Sequence, residues 1–276
     1  MTVRWGVTFF ALSSCVETRS PASDTWFDLG DTLGVVEPIA FTDVPYDFTG
    51  ATSLSDTPRA PEFSTLFAEG ESVPACDAWS ETPDLPVEVE GIVTVLPRVY
   101  LKTDGCIPVG DPDAQSDEKN YGSFFIEDAS GGFFVLGDDK LADFGAGDRL
   151  VLRVGAVKER FDLDAVASYE VISVVREAAP IFYRVRTTAL DAASIALVQR
   201  MTGTVTIPPD TFGETTLVTD EGVEFVVQLD AELTRRGLTF DVGDVVMATG
   251  PVLYSYSTYA LVVMQLGQIE LLQEAL

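Results

Sequence analysis

Histidine is absent from all 276 residues, and that absence bounds the chemistry before any motif is considered. Histidine is the usual general base near neutral pH, the orienting member of most nucleophilic triads and the commonest metal ligand. Without it, most hydrolase mechanisms and the common zinc and iron sites have no centre. What remains is carboxylate chemistry: 44 Asp and Glu stand against 17 Lys and Arg, a formal net charge of −27. Two carboxylates suffice for glycoside hydrolysis, but in so acidic a chain no pair stands out. The densest group, Asp111, Asp113, Asp117 and Glu118, offers the hard oxygens that Ca2+ takes, yet lacks the spacing and the glycine of an EF-hand loop. A solvated acidic loop accounts for it without a ligand. No catalytic residue, metal or cofactor is therefore expected, and the chain is read as a non-enzyme.

Aromatic residues are the other candidates for a site. Tyr100, Tyr121 and one ring from each of the pairs Phe124-Phe125 and Phe133-Phe134, taken as Phe125 and Phe133, are placed to stack on a planar or sugar ring. Successive strand residues face opposite ways, so one ring of each pair must enter a core. Its neighbour either meets a ligand or packs on the N-terminal segment. Further along, Tyr254, Tyr256 and Tyr259 are interleaved with Ser255, Ser257 and Thr258. Tyr and Ser together make adaptable contact surfaces, although an ordinary hairpin tip has the same composition.

The elements that must position these residues are strands. Val87-Glu-Val-Glu-Gly-Ile-Val-Thr-Val95 alternates apolar and polar residues around Gly91, where a strand needs a bulge or sharp bend. Ser123–Asp128 and Phe133–Leu136 flank the turn residues Ala129-Ser-Gly-Gly132 and predict a hairpin. Arg149–Gly155 and Tyr169–Val175 complete a set of five strands, with a long loop from Tyr100 to Tyr121. The same succession returns: Arg200–Thr206 with Gly203, Thr215–Gly222 with Val223–Val227, Phe240–Gly250, and a last strand in Tyr259–Leu272. Ala231–Arg236 fits the short helix between the third and fourth strands of an OB barrel. The expected fold is all-β: two tandem five-stranded OB-type Greek-key barrels, residues 62–178 and 181–276. An irregular segment and tether, 15–61, precedes them, and its scattered aromatics, among them Phe41, Tyr46 and Phe48, imply that some of this N-terminal stretch packs on the first barrel.

At the N-terminus, Arg4 and the apolar run Trp5–Leu12 lead into Leu12-Ser-Ser-Cys15. This resembles the lipobox of bacterial lipoproteins, which implies a signal peptide over residues 1–14, lipid on Cys15 and residence in the cell envelope. Val16 in place of Asp after that cysteine implies outer-membrane sorting. With Cys15 lipidated, Cys76 and Cys106 remain as a pair able to oxidise outside the cytoplasm. Spacing alone leaves two free thiols as the other reading.

Gly91-Ile-Val-Thr, Gly122-Ser-Phe-Phe-Ile-Glu-Asp128, Ser130-Gly-Gly-Phe-Phe-Val135, Gly147-Asp148 and Val154-Gly-Ala-Val157 resemble the extracellular OB domains that precede nuclease domains in secreted bacterial endonucleases. The likeness covers about residues 62–176 and, more weakly, 181–274. Its motifs mark bends and turns, and no catalytic position of that family has a counterpart here. With so few cations to neutralise phosphate, nucleic acid is a poor candidate ligand. The expected partner is an envelope protein or a glycan, and the expected role a non-catalytic binding or assembly module. The alternative is an accessory or remnant of an extracellular metal-dependent nuclease or hydrolase system.

Overall fold

The computed structural model describes residues 39–48, 52–59, 85–104, 117–137, 142–160, 163–176, 179–255 and 257–275. In chain order the first strands are β1 (Phe41–Thr42), β2 (Val87–Val93), β3 (Val99–Asp104), β4 (Asp117–Glu127), β5 (Gly132–Val135), β6 (Arg149–Arg160) and β7 (Leu163–Val175). They are followed by β8 (Ile181–Phe182), β9 (Arg184–Val185), β10 (Val198–Ile207), β11 (Glu214–Val218) and β12 (Glu224–Leu229). The helix α1 (Ala231–Arg235) then precedes β13 (Val245–Ser255), β14 (Thr258–Val263) and β15 (Ile269–Gln273). Ile39–Leu276 forms one compact unit, mostly β, with barrel-like sheets.

The alternation seen in Val87–Val95 puts β2 antiparallel to β6, and its last two residues also pair with the end of β4. β4 and β5 form the expected hairpin, β5 runs parallel to β7, and β6 and β7 pair along their length. The pairings therefore close a ring, β2-β4-β5-β7-β6. The second half closes another in the same order, β10-β11-β12-β14-β13, again with one parallel contact, here between β12 and β14. The first strand of each ring carries a glycine where it crosses the second. A Cβ at Gly91 would lie 2.9 Å from the Glu127 carbonyl oxygen, and one at Gly203 2.9 Å from that of Val218. Only glycine permits so close an approach.

Each ring is filled by the inward half of its alternation. Val89, Phe124, Ile126, Phe133, Leu150 and Leu152 belong to the first core, and Val205, Leu217, Val227, Val246, Val252 and Leu261 to the second. A third cluster lies between the sheets and draws on both. Asp230 caps α1 by accepting from the Glu232 N–H at 2.9 Å.

Two features depart from the sequence reading. β3 pairs with β4 inside the stretch expected to be a loop from Tyr100 to Tyr121. The last strand is interrupted: β14 pairs with Val252–Ser255 of β13, a 3-10 turn at Leu266–Gln268 breaks the ladder, and β15 runs on in the same direction beside Val245–Ala248. Part of the N-terminal stretch is packed, as its scattered aromatics imply. Leu54 is buried in the first core, and Phe41, Tyr46 and Phe48 lie against Ile92, Ile181 and Val198. A segment carrying that many apolar rings buries them when a surface is within reach.

Candidate binding surface

The hairpin register decides which phenylalanines share a face. Phe125 stands opposite Phe134, and Ile126 opposite Phe133. Phe133 accordingly points into the first core, where it is 1% exposed. Phe125 and Phe134 point outward together, their rings 4.9 Å apart and edge to face. That outer face is not open. Phe125 is 0% exposed, within an apolar cluster that Ala196, Leu253, Val262 and Met264 of the second half share with Leu163 and Ala165 of the first. The proposal of Phe125 and Phe133 as ligand contacts is therefore corrected: a ring without accessible surface cannot stack on a ligand. The neighbour that covers Phe125 is the second sheet, not the N-terminal segment.

Polar contacts fix this closure. Arg98 donates to the Met264 carbonyl at 3.0 Å and pairs with Asp230 at 2.6 Å. At the end of β4, the fully buried Glu127 carboxylate accepts the Val198 N–H at 2.8 Å and pairs with Arg184. Burial pushes the Glu127 carboxyl up to about 7, with Arg184 pulling it down. Tyr46, whose hydroxyl accepts from the Phe182 N–H at 2.7 Å, is also raised by burial and by the Glu127 charge.

Among the described residues, the corresponding surface of the second sheet, the outer side of β11 and β12, carries no such cover over the loops at its two ends. One end is the loop between β10 and β11. There the Asp210 carboxylate accepts from the Phe212 and Glu214 N–H groups at 2.8 and 2.9 Å, and Gln228 donates to the Phe212 carbonyl at 2.7 Å. Gly213 takes a positive φ of 86° beneath it. The result is a braced loop that holds the Phe212 ring 77% exposed, with Ile207 57% exposed beside it. At the other end, Ser257 (φ 64°) turns β13 into β14, and a cleft of about 230 Å³ opens between Leu190, Glu224, Val226, Ser257, Thr258 and Tyr259.

Tyr254 and Tyr259 are register partners whose rings lie 4.6 Å apart, so the structure brings them together at this end. Tyr256 lies outside the described residues. Tyr100 and Tyr121 also pair, at 4.8 Å, and are 48% and 37% exposed on the β3–β4 hairpin. Asp111 and Asp113 lie outside the described residues, as do Cys15, Cys76 and Cys106, while Asp117 and Glu118 begin β4. Among the described residues no group of three His, Cys, Asp or Glu side chains is arranged to hold a metal ion. No helix among them is long and apolar enough to cross a membrane.

Phe212 was not singled out from the sequence. Its signal was present in Ile207-Pro-Pro-Asp-Thr-Phe-Gly213, where an aromatic sits between a turn-forming aspartate and a glycine.

No protein-family profile and no curated protein matches the chain. Among solved structures it is similar to a murine DNA-binding protein bound with double-stranded DNA, at 10% identity over 66% of this chain and 96% of that one, TM-score 0.30. The tetrameric p202 HIN2 matches at 12% identity over 70% and 100%, TM-score 0.26. A deletion mutant of the single-stranded DNA binding protein from Thermus aquaticus matches at 12% over 68% and 94%, TM-score 0.22. These neighbours correct the expected partner. Two are named for DNA binding and none for an envelope component or a glycan, and the expected envelope protein or glycan is withdrawn.

Proposed function

We propose that this chain is a non-catalytic binding module built from two OB-type barrels in tandem, in which the second barrel presents the ligand face and the first supports it. One observation carries the reading. The outer β4–β5 face is buried at Phe125 and Phe134, whereas the equivalent β11–β12 face ends in an exposed, braced Phe212 and an open cleft at Tyr259. In OB folds ligands lie across the second and third strands, between the loop that follows the first strand and the loop that precedes the fifth. Phe212 and Ser257 stand on those two loops. Export and lipidation at Cys15 belong to the same reading and are supported by the Leu12–Cys15 motif.

Equilibrium binding of the full chain to short peptides and to single-stranded oligonucleotides tests the module. At least one probe class is expected to saturate, to be recovered intact, and to bind roughly tenfold or more weakly to Phe212→Ser, as for loss of an exposed aromatic anchor. Turnover of a probe, or no saturable binding by either class, contradicts it.

A further inference from the structure

We infer that the occupant of the β11–β12 face is an extended polypeptide segment rich in Lys and Arg, an inference that rests on the ligand face assigned above. From Met201 to Thr234 the sequence contains no Lys or Arg. This stretch spans β11, β12, the loop before β11 and the turn between the two strands. Asp210, Glu214, Asp220, Glu221 and Glu224 are all exposed along it. Placed on such a surface, each cation gains from several carboxylates with no Lys or Arg of the same stretch opposing it, and Arg186 at the edge of the cleft is paired with Asp191, within a chain whose formal net charge is −27.

Charge alone would attract any cation, and the apolar features narrow the class. Phe212 offers an exposed aromatic face at one end, and Val226 and Tyr259 line the cleft at the other. An aromatic face attracts a guanidinium or ammonium, and the aliphatic stems of Arg and Lys lie on half-buried apolar floor while their heads reach the carboxylates. The chain itself shows this preference: the Arg200 guanidinium sits 3.6 Å from the centre of the Tyr183 ring, and that of Arg59 sits 3.8 Å from the centre of Phe133. A bare metal ion or a small amine would leave most of the span between Phe212 and Ser257 uncovered. An extended segment covers it with side chains alternately directed at the sheet.

The test is fluorescence anisotropy of the full chain with a short labelled Lys/Arg-rich peptide, a Glu-rich peptide of equal length, and a single-stranded DNA of similar length. The cationic peptide is expected to saturate, and to weaken as salt rises. Glu214→Gln with Glu224→Gln is expected to weaken it roughly three- to tenfold, and Phe212→Ser roughly tenfold. Cationic-peptide binding that ignores both variants overturns the inference, because it then reflects the bulk charge of the chain. DNA binding in place of peptide binding, lost on Phe212→Ser, overturns the cationic occupant and leaves the ligand face standing. Binding by none of the probes removes both.

Discussion

Glu127, the last residue of β4, accepts a hydrogen bond from the backbone N–H of Val198, the first residue of β10, at 2.8 Å. The two rings of strands are joined at that point by a carboxylate with no solvent contact, whose other oxygen is paired with Arg184. The junction therefore combines a charge, a backbone group and the apolar cluster around Phe125.

The buried Glu127 carboxyl makes stability depend on pH. Burial raises it from 4.5 to about 7, so the folded chain holds that proton more tightly than the unfolded chain does. The contribution to stability is full below the unfolded value and is lost as pH rises through 7. Urea denaturation of wild type and Glu127→Gln across this range is expected to show the wild type losing roughly 2–4 kcal/mol relative to the variant. Parallel curves contradict this account of Glu127.

Phe125→Ala is expected to cost about 3–5 kcal/mol in stability, the range for a large ring removed from a packed core. Tyr100→Ala, which trims a half-exposed ring, is expected to cost far less. At temperatures where Phe125→Ala remains folded, its affinity for a ligand of the second sheet should match wild type. A Phe125→Ala chain as stable as wild type would show that the face is not closed.

Gly132 lies so near the second half that a Cβ there would be 2.5 Å from the Ala196 carbonyl oxygen. The obstacle is backbone and cannot rotate away. Gly132→Ala should therefore destabilise by about 1–3 kcal/mol through overpacking, measured by thermal or urea unfolding.

Phe212→Ser removes an exposed ring and leaves the Asp210 bracing intact. Its stability is expected to stay within about 0.5 kcal/mol of wild type while ligand affinity falls. A large loss of stability would assign Phe212 to the core.

Much of the fold could be read from local pattern. The turn glycines, the Phe-rich hairpin, the bend residues Gly91 and Gly203 and the helix after Asp230 each carry a short-range signal, and each lies where the sequence put it. The misreadings are of longer range. Whether Phe125 aligns with Phe133 or Phe134 depends on hairpin register, which one residue of slip reverses. β3 lacks strong punctuation, and β14 and β15 are told apart by the separate stretches of β13 that they pair with, Val252–Ser255 and Val245–Ala248. Closure of the Phe125 face depends on residues such as Val262, far away in sequence. No periodicity within β4 or β5 announces what will cover them.

Hydroxyl-radical footprinting of the free chain, read by mass spectrometry at individual phenylalanines, tests the central claim most directly. One ligand-type face is sealed by its neighbour and the other is open. Phe212 should be oxidised rapidly, and Phe125 and Phe134 should stay protected until the chain unfolds. Comparable oxidation of Phe125, Phe134 and Phe212 under folding conditions would contradict it.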